Sequence, residues 1–215
     1  MQTRMPPALR LVAVALLLPI LAGGCSLITT VAYLVQPEKD VPAEFKDLRG
    51  KHVAVVCKPI VELEFSDSGS SRELAAMVGG QLMQNVRKAR VIDQREVSRW
   101  IDENSWVDYP TLGKSLDADL VVGIDLEKFR IHEGSTLFRG RASANVRVYD
   151  VAAKTVVFEK RFEDFTFPGS SAVPATDQSE SQFRAMFLEV LARRIARSFH
   201  AYDSRATFAE DNLTF

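Results

Sequence analysis

Three stretches of period-two alternation, separated by turns too short to hold a helix, constrain this chain more than any other feature. Residues 118–131 carry Val122, Ile124 and Leu126 on one side. Residues 139–149 carry Ala142, Ala144, Val146 and Val148, and residues 155–165 carry Val156, Phe158 and Phe162. Residues two apart point to the same face of a strand, so each stretch reads as a strand with one buried face. The opposite positions hold Asp125, Glu127, Arg141, Asn145, Arg147, Glu159, Arg161 and Glu163. The turns near Glu133-Gly134-Ser135 and Ala152-Ala153 are of hairpin length. The three strands therefore form an antiparallel meander.

Upstream, His52 to Lys58 is β-rich and bounded by Gly50 and Pro59, and reads as a buried strand. Ser70 with Glu73 makes a capping box for a helix to about Ala89. Arg90 to Ile92 is a short strand, Arg95 to Glu103 a second helix, and Pro110 opens a third through Leu116. Ser179 and Gln182 make another capping box, and Phe183, Phe187, Val190, Leu191, Ile195 and Phe199 line one face of a last helix to about Tyr202. The order is β-α-β-α-α-β-β-β-α. This predicts an α/β fold, a mixed sheet containing the meander, with helices packed on one face.

The first residues decide location. Arg4 and Arg10 precede an unbroken apolar run, Leu11 to Leu21, then Ala22, Gly23, Gly24 and Cys25. Cationic start, apolar stretch and small residues at the exit are a secretory signal peptide. The run is short of the ~20 apolar residues a spanning helix needs. An uncleaved anchor over residues 11–35 is the other reading, and Pro19 and Gly23-Gly24 argue against one continuous helix there. The segment LAGGC resembles the lipobox of bacterial lipoproteins, with Ala22 where that family prefers Leu. The resemblance implies cleavage before Cys25 and acylation of Cys25, which would hold the chain on the membrane. Ser26, a non-acidic residue, favours the outer membrane over the inner in proteobacterial-type sorting. The expected divisions are a signal peptide at 1–24, a lipidated tether at 25–50, a globular domain at 51–203 and a flexible tail at 204–215.

Composition excludes several classes. The 215 residues carry 27 Lys+Arg against 28 Asp+Glu, which argues against a nucleic-acid binder. With Cys25 acylated, Cys57 stands alone, so no internal disulfide is expected. No phosphate loop, dinucleotide fingerprint, nucleophile elbow or zinc-protease helix is present, and no cofactor or metal is expected. His52, His132 and His200 read as structural, and Cys57 as an inert strand residue. Glu62, Glu64 and Asp67 share a loop that reads as solvated and lacks the spacing of a calcium hand.

A second resemblance rests on Val91-Ile92-Asp93-Gln94-Arg95-Glu96-Val97 with Trp100 to Asn104, on Leu116 to Gly123, and on Val146 to Asp150 with Val156 to Phe158. These segments resemble the curli-secretion lipoprotein and TolB amino-terminal superfamily over roughly residues 51–203. Ala153-Lys154 stands where that family usually has Thr-Gly. The resemblance implies a non-enzymatic accessory or assembly factor that docks an envelope protein at the membrane. In the meander, Arg147 is expected opposite Glu159 and Asn145 opposite Arg161. Trp106, Tyr109, Arg147, Glu159 and Arg161 are therefore the candidate docking residues, with sheet stabilisation the alternative role for the charged ones and core capping for the aromatic ones. A ligand-binding or hydrolytic lipoprotein, with its site in loops 59–70 and 166–178, is the competing function.

Overall fold

A computed structural model describes residues 40–59, 68–104 and 108–205. Its frame is a strand pair whose side chains are buried alternately on two faces. In the strand His52–Pro59, Val53 and Val55 enter one core, while Ala54 and Val56 enter another. A strand apolar on both faces needs layers on both sides.

In chain order the elements are β1 (Asp40–Val41), β2 (His52–Pro59), α1 (Ser68–Asn85), β3 (Arg90–Val91), α2 (Gln94–Glu103) and α3 (Tyr109–Ser115). They continue as β4 (Leu120–Glu133), β5 (Leu137–Asp150), β6 (Thr155–Phe167), β7 (Val173–Pro174), α4 (Glu180–Ala196) and β8 (Tyr202–Asp203). The main sheet runs β3-β2-β4-β5-β6, with β7 paired to β5. β2 is parallel to β3 and β4, while β4, β5 and β6 form the expected antiparallel meander. No helix among the described residues is long and apolar enough to cross a membrane.

The mixed α/β sheet is as expected, and the helices divide between its faces. Helices α1 and α4 bury Leu74, Val78, Leu82, Phe183, Phe187, Leu191 and Ile195 against Val122, Ile124, Ala144 and Val146. Val97 of α2 and Leu112 of α3 pack with Ala54, Val56 and Val121 on the other face. The one-face arrangement thus holds for the two long helices only. The short α2 and α3 follow the Ala54 and Val56 side of β2, which the reading left uncovered.

Local signals hold at α4 and shift at α1. Gln182 N donates to Ser179 Oγ at 3.3 Å and Ser179 N donates to Gln182 Oε1 at 3.2 Å, completing the capping box. Helix α1 already includes Ser68, so Ser70 and Glu73 lie inside it rather than at its cap. Ser70 is buried there. Val156, expected on the buried face of β6, is 45% exposed, and its neighbour Val157 is 44% exposed. A register shift sets Val148 opposite Phe158 but Tyr149 opposite Val156, so Val157 is an extra residue and Val156 leaves the covered face.

The boundary between tether and domain moves. Residues 40–50 belong to the folded body, not to a linker. Phe45 and Leu48 are in the main core. The amides of Glu44 and Phe45 donate to Ser198 O at 3.0 and 2.9 Å. α4 stops before the expected Tyr202 because the chain turns there and pairs Tyr202 with Val41 and Asp203 with Asp40. Cys25 and the signal segment lie outside the described residues, as does most of the tail.

Two substitutions test this packing. A Cβ at Gly140 would sit 2.4–2.6 Å from ring atoms of Phe187. Gly140→Ala is expected to cost about 1–3 kcal/mol in urea unfolding, because ring and strand must separate. Lys154, at the β5–β6 turn, has φ of 56°. Lys154→Gly is expected to raise stability by up to about 1 kcal/mol, the left-handed penalty less the added freedom of the unfolded chain.

Candidate docking face

The polar face of β4, β5 and β6 is built outward from one carboxylate, Asp125. Asp108 caps α3 by accepting from Thr111 N at 2.7 Å, which fixes Tyr109 at the start of that helix. The Tyr109 ring lies flat on β4 because residue 123 is glycine. A Cβ there would meet the ring at 2.7–3.0 Å. From this position Tyr109 Oη donates to Asp125 Oδ1 at 2.6 Å. Arg147, on β5, donates to the other oxygen, Oδ2. The Arg147 guanidinium also lies over the Tyr149 ring, 5.6 Å from its centroid. Tyr149 in turn stacks on Tyr109 with centroids 4.8 Å apart.

These contacts set the electrostatics. Burial, followed by the hydrogen bond and charge of Asp125, pushes the Tyr109 phenol well above its ordinary value, so it stays a donor. The hydrogen bond to Asp125 holds the Arg147 guanidinium in its charged form. Burial raises Tyr149. Burial, with Asp125 second, also pushes the Cys57 thiol far up. A thiol kept protonated is a poor nucleophile, which matches its reading as an inert strand residue.

The remaining pairs cross the strands diagonally. The register sets Arg147 opposite Glu159 and Asn145 opposite Arg161. Yet Asn145 Nδ2 donates to Glu159 Oε1 at 2.7 Å. Arg161 pairs with Glu127 of β4 at 3.5 Å. Arg147 reaches Asp125 rather than Glu159, whose carboxylate accepts from Asn145 instead. Glu159 and Arg161 remain exposed at the edge strand β6.

The candidate docking residues thus separate. Arg147, Glu159 and Arg161 share the face. Tyr109 is not an exposed anchor, being 6% exposed and spent on Asp125. Trp106 lies outside the described residues. Asp125, Asn145 and Tyr149 were not singled out from sequence. Asp125 and Asn145 stood among the polar positions of the meander, but only three-dimensional proximity to α3 makes Asp125 the hub.

Of the competing loops, residues 60–67 lie outside the described residues. Loop 166–178 contributes Gly169 and Ser170 to a cleft of about 710 Å³, with Lys160, Asp164, Arg194 and Tyr202. The histidines are spent locally. His52 Nδ1 donates to Asp117 O at 2.6 Å, and His132 lies 3.4 Å from Glu180. Among the described residues no cluster of His, Cys, Asp and Glu is arranged to hold a metal ion.

No protein-family model and no curated protein matches the chain. Solved structures do resemble it. The PelC dodecamer from Paraburkholderia phytofirmans is 12% identical over 75% of this chain and 96% of its own, with a TM-score of 0.44. Lipoprotein GNA1162 from Neisseria meningitidis is 14% identical over 68% of this chain and 99% of its own, with a TM-score of 0.43. The hypothetical protein CT253 from Chlamydia trachomatis is 16% identical over 76% and 99%, with a TM-score of 0.42. Likeness at this level fixes neither family nor activity.

Tyr109→Phe tests the hub. It removes a hydrogen bond to a half-buried carboxylate without changing ring volume. The expected cost is about 1–3 kcal/mol in chemical unfolding, with the fold retained. A cost near zero would mean that Asp125 is satisfied by Arg147 alone.

Proposed function

We propose that this chain is a non-enzymatic lipoprotein of the bacterial cell envelope, held to the membrane through acylated Cys25, and that its folded body docks a partner protein. The observation that carries the docking reading is the outer face of the meander. It is a broad sheet surface whose inner row, Asp125, Arg147 and Tyr149, is locked in place, while its outer row, Glu159 and Arg161, stays exposed. A preorganised row beside an exposed one of alternating sign suits a partner that presents complementary charges. The LAGGC segment supports the anchor.

The second reading, a ligand-binding or hydrolytic lipoprotein, is favoured by the cleft beside loop 166–178. Its Arg194 stacks on Phe165 with the guanidinium 5.7 Å from the ring centroid. Lys160 there pairs with Glu44, and the lining Asp164 pairs with Lys128 of β4. Native mass spectrometry of the purified protein tests it, because a co-purifying small molecule would favour this reading over docking.

The docking reading is tested by in-cell crosslinking and pull-down from solubilised envelope. The double variant Glu159→Arg with Arg161→Glu preserves composition and reverses the exposed row. It is expected to lower capture of a specific partner at least ~10-fold, as expected for removal of a matched charged pair, with the fold retained by circular dichroism despite the loss of the Asn145–Glu159 and Glu127–Arg161 contacts. Equal capture by wild type and variant would sink this face as the docking site.

A further inference from the structure

The chain is nearly neutral, but the fold gathers its charge unevenly. β2 and β4 begin, and the β5–β6 hairpin turns, at one end of the sheet. Two adjoining depressions there share Lys51 and Asp150. Lys46 and Arg49 line one, while Lys114 and Lys154 line the other. Arg90 N donates to Lys51 O at 2.9 Å, so β3 brings Arg90 to the same rim, directly after Arg87 and Lys88 in the chain. All of these cations are exposed, and their side chains make no ion pair among the described residues. Several cations elsewhere are paired, among them Lys128, Arg147, Lys160 and Arg161. Four carboxylates share this end: Asp47, Asp117, Asp119 and Asp150. Two of them accept backbone hydrogen bonds, Asp119 from His52 N at 2.7 Å and Asp150 from Ala153 N at 2.8 Å, so the end carries more exposed cations than acids.

We propose that this end of the sheet docks onto an anionic phospholipid surface. The cations are spread around strand and helix ends rather than converging on one point, which suits a charged plane. Lysines, which act as compact point charges, outnumber arginines, which would recognise a single phosphate in bidentate fashion. The chain's path supplies the second argument. The folded body begins at Asp40, and Lys46, Arg49 and Lys51 follow within its first residues. The segment from Cys25 to Asp40 reaches no more than about 54 Å when fully extended. The proposal rests on the anchored reading for that proximity. The acyl chains would hold the body near lipid, and the patch would set which end faces it.

The test is flotation of the purified full-length protein with two kinds of vesicle, phosphatidylcholine alone and phosphatidylcholine containing about a third phosphatidylglycerol. Each cation brought to an anionic surface strengthens binding about fivefold. Wild type is expected to prefer the anionic vesicles by roughly tenfold or more, and to lose the preference in high salt. The triple variant Lys51→Gln, Lys114→Gln, Lys154→Gln is expected to lose most of that preference. A control triple with the same net charge, Arg130→Gln, Arg141→Gln, Arg184→Gln, should stay within about twofold of wild type, since Arg130 and Arg141 face each other at the far end of β4 and β5 and Arg184 pairs with Glu180 beside His132 there. If a triple variant melts early, Lys51→Gln and Lys154→Gln singly should each cost about fivefold. Equal behaviour of the patch and control variants would overturn the proposal, as would wild type showing no preference between the vesicles. Wild type that binds a DNA duplex tightly and shows no vesicle preference would make the partner a soluble polyanion instead. Loss of binding to pure phosphatidylcholine with the anionic preference intact would remove the anchor and leave the patch standing.

Discussion

β4 is hydrogen-bonded along both edges from Leu120 to Leu126, to parallel β2 on one side and antiparallel β5 on the other. That double pairing is the constraint from which the rest of the fold hangs. A strand with no free edge must place its side chains on two faces, and both faces must be covered or polar. At Val122, Ile124 and Leu126 the covering comes from α1 and α4. At Val121 it comes from α3. Beyond the reach of α3 the same face becomes polar, and its first polar residue is Asp125. The hub of the outer face therefore sits at the margin of the second core. There Tyr109 can approach only because residue 123 has no side chain.

This margin explains why the outer face is ordered rather than merely solvated. Exposed cross-strand ion pairs contribute little individually. Here the first pair is fastened to an aromatic stack that is itself part of the core, so its side chains have little conformational freedom left to lose. The order then fades outward. Asp125 and Arg147 are half-buried, whereas Glu159 and Arg161, on the edge strand, are exposed. A long edge strand invites pairing with other chains. β6 carries register shifts near Val157 and between Phe162 and Phe165, and it alternates charges along its exposed side, both of which discourage unplanned pairing.

Much of this was legible from sequence. The meander followed from alternation, because residues at spacing two must share a face, and its central register followed from the turn at Ala152-Ala153. The α4 cap was legible because Ser179 and Gln182 are a local motif. What escaped depends on contacts remote in sequence. Residues 40–50 look like a tether, with a proline and mixed charge. They are core because Leu48 reaches the sheet and Ser198 O waits for two of their amides. Tyr109 looked like a loop aromatic, and its fate was decided by Gly123 and Asp125 on another element. Net charge was the least informative quantity. A total of −1 conceals a sheet end where exposed cations stand without ion-pair partners among the described residues.

The two proposed surfaces are compatible because of how a sheet is built. Strand ends and strand faces lie roughly at right angles. If the basic end meets lipid, the strands stand away from the membrane and the outer face of β4, β5 and β6 looks sideways, clear of the bilayer. A partner can then reach Glu159 and Arg161 without displacing lipid. The opposite orientation, with the polar face on the membrane, would press Glu127, Glu159 and Glu163 against anionic headgroups at an electrostatic cost. The charge distribution thus selects one orientation without a deep pocket or a specific lipid contact. It also gives the short reach between Cys25 and Asp40 a consequence. Surface charge acts over roughly 10 Å, well short of that reach, so an anchor at Cys25 would bring the basic end near lipid and the cations themselves would have to hold it there.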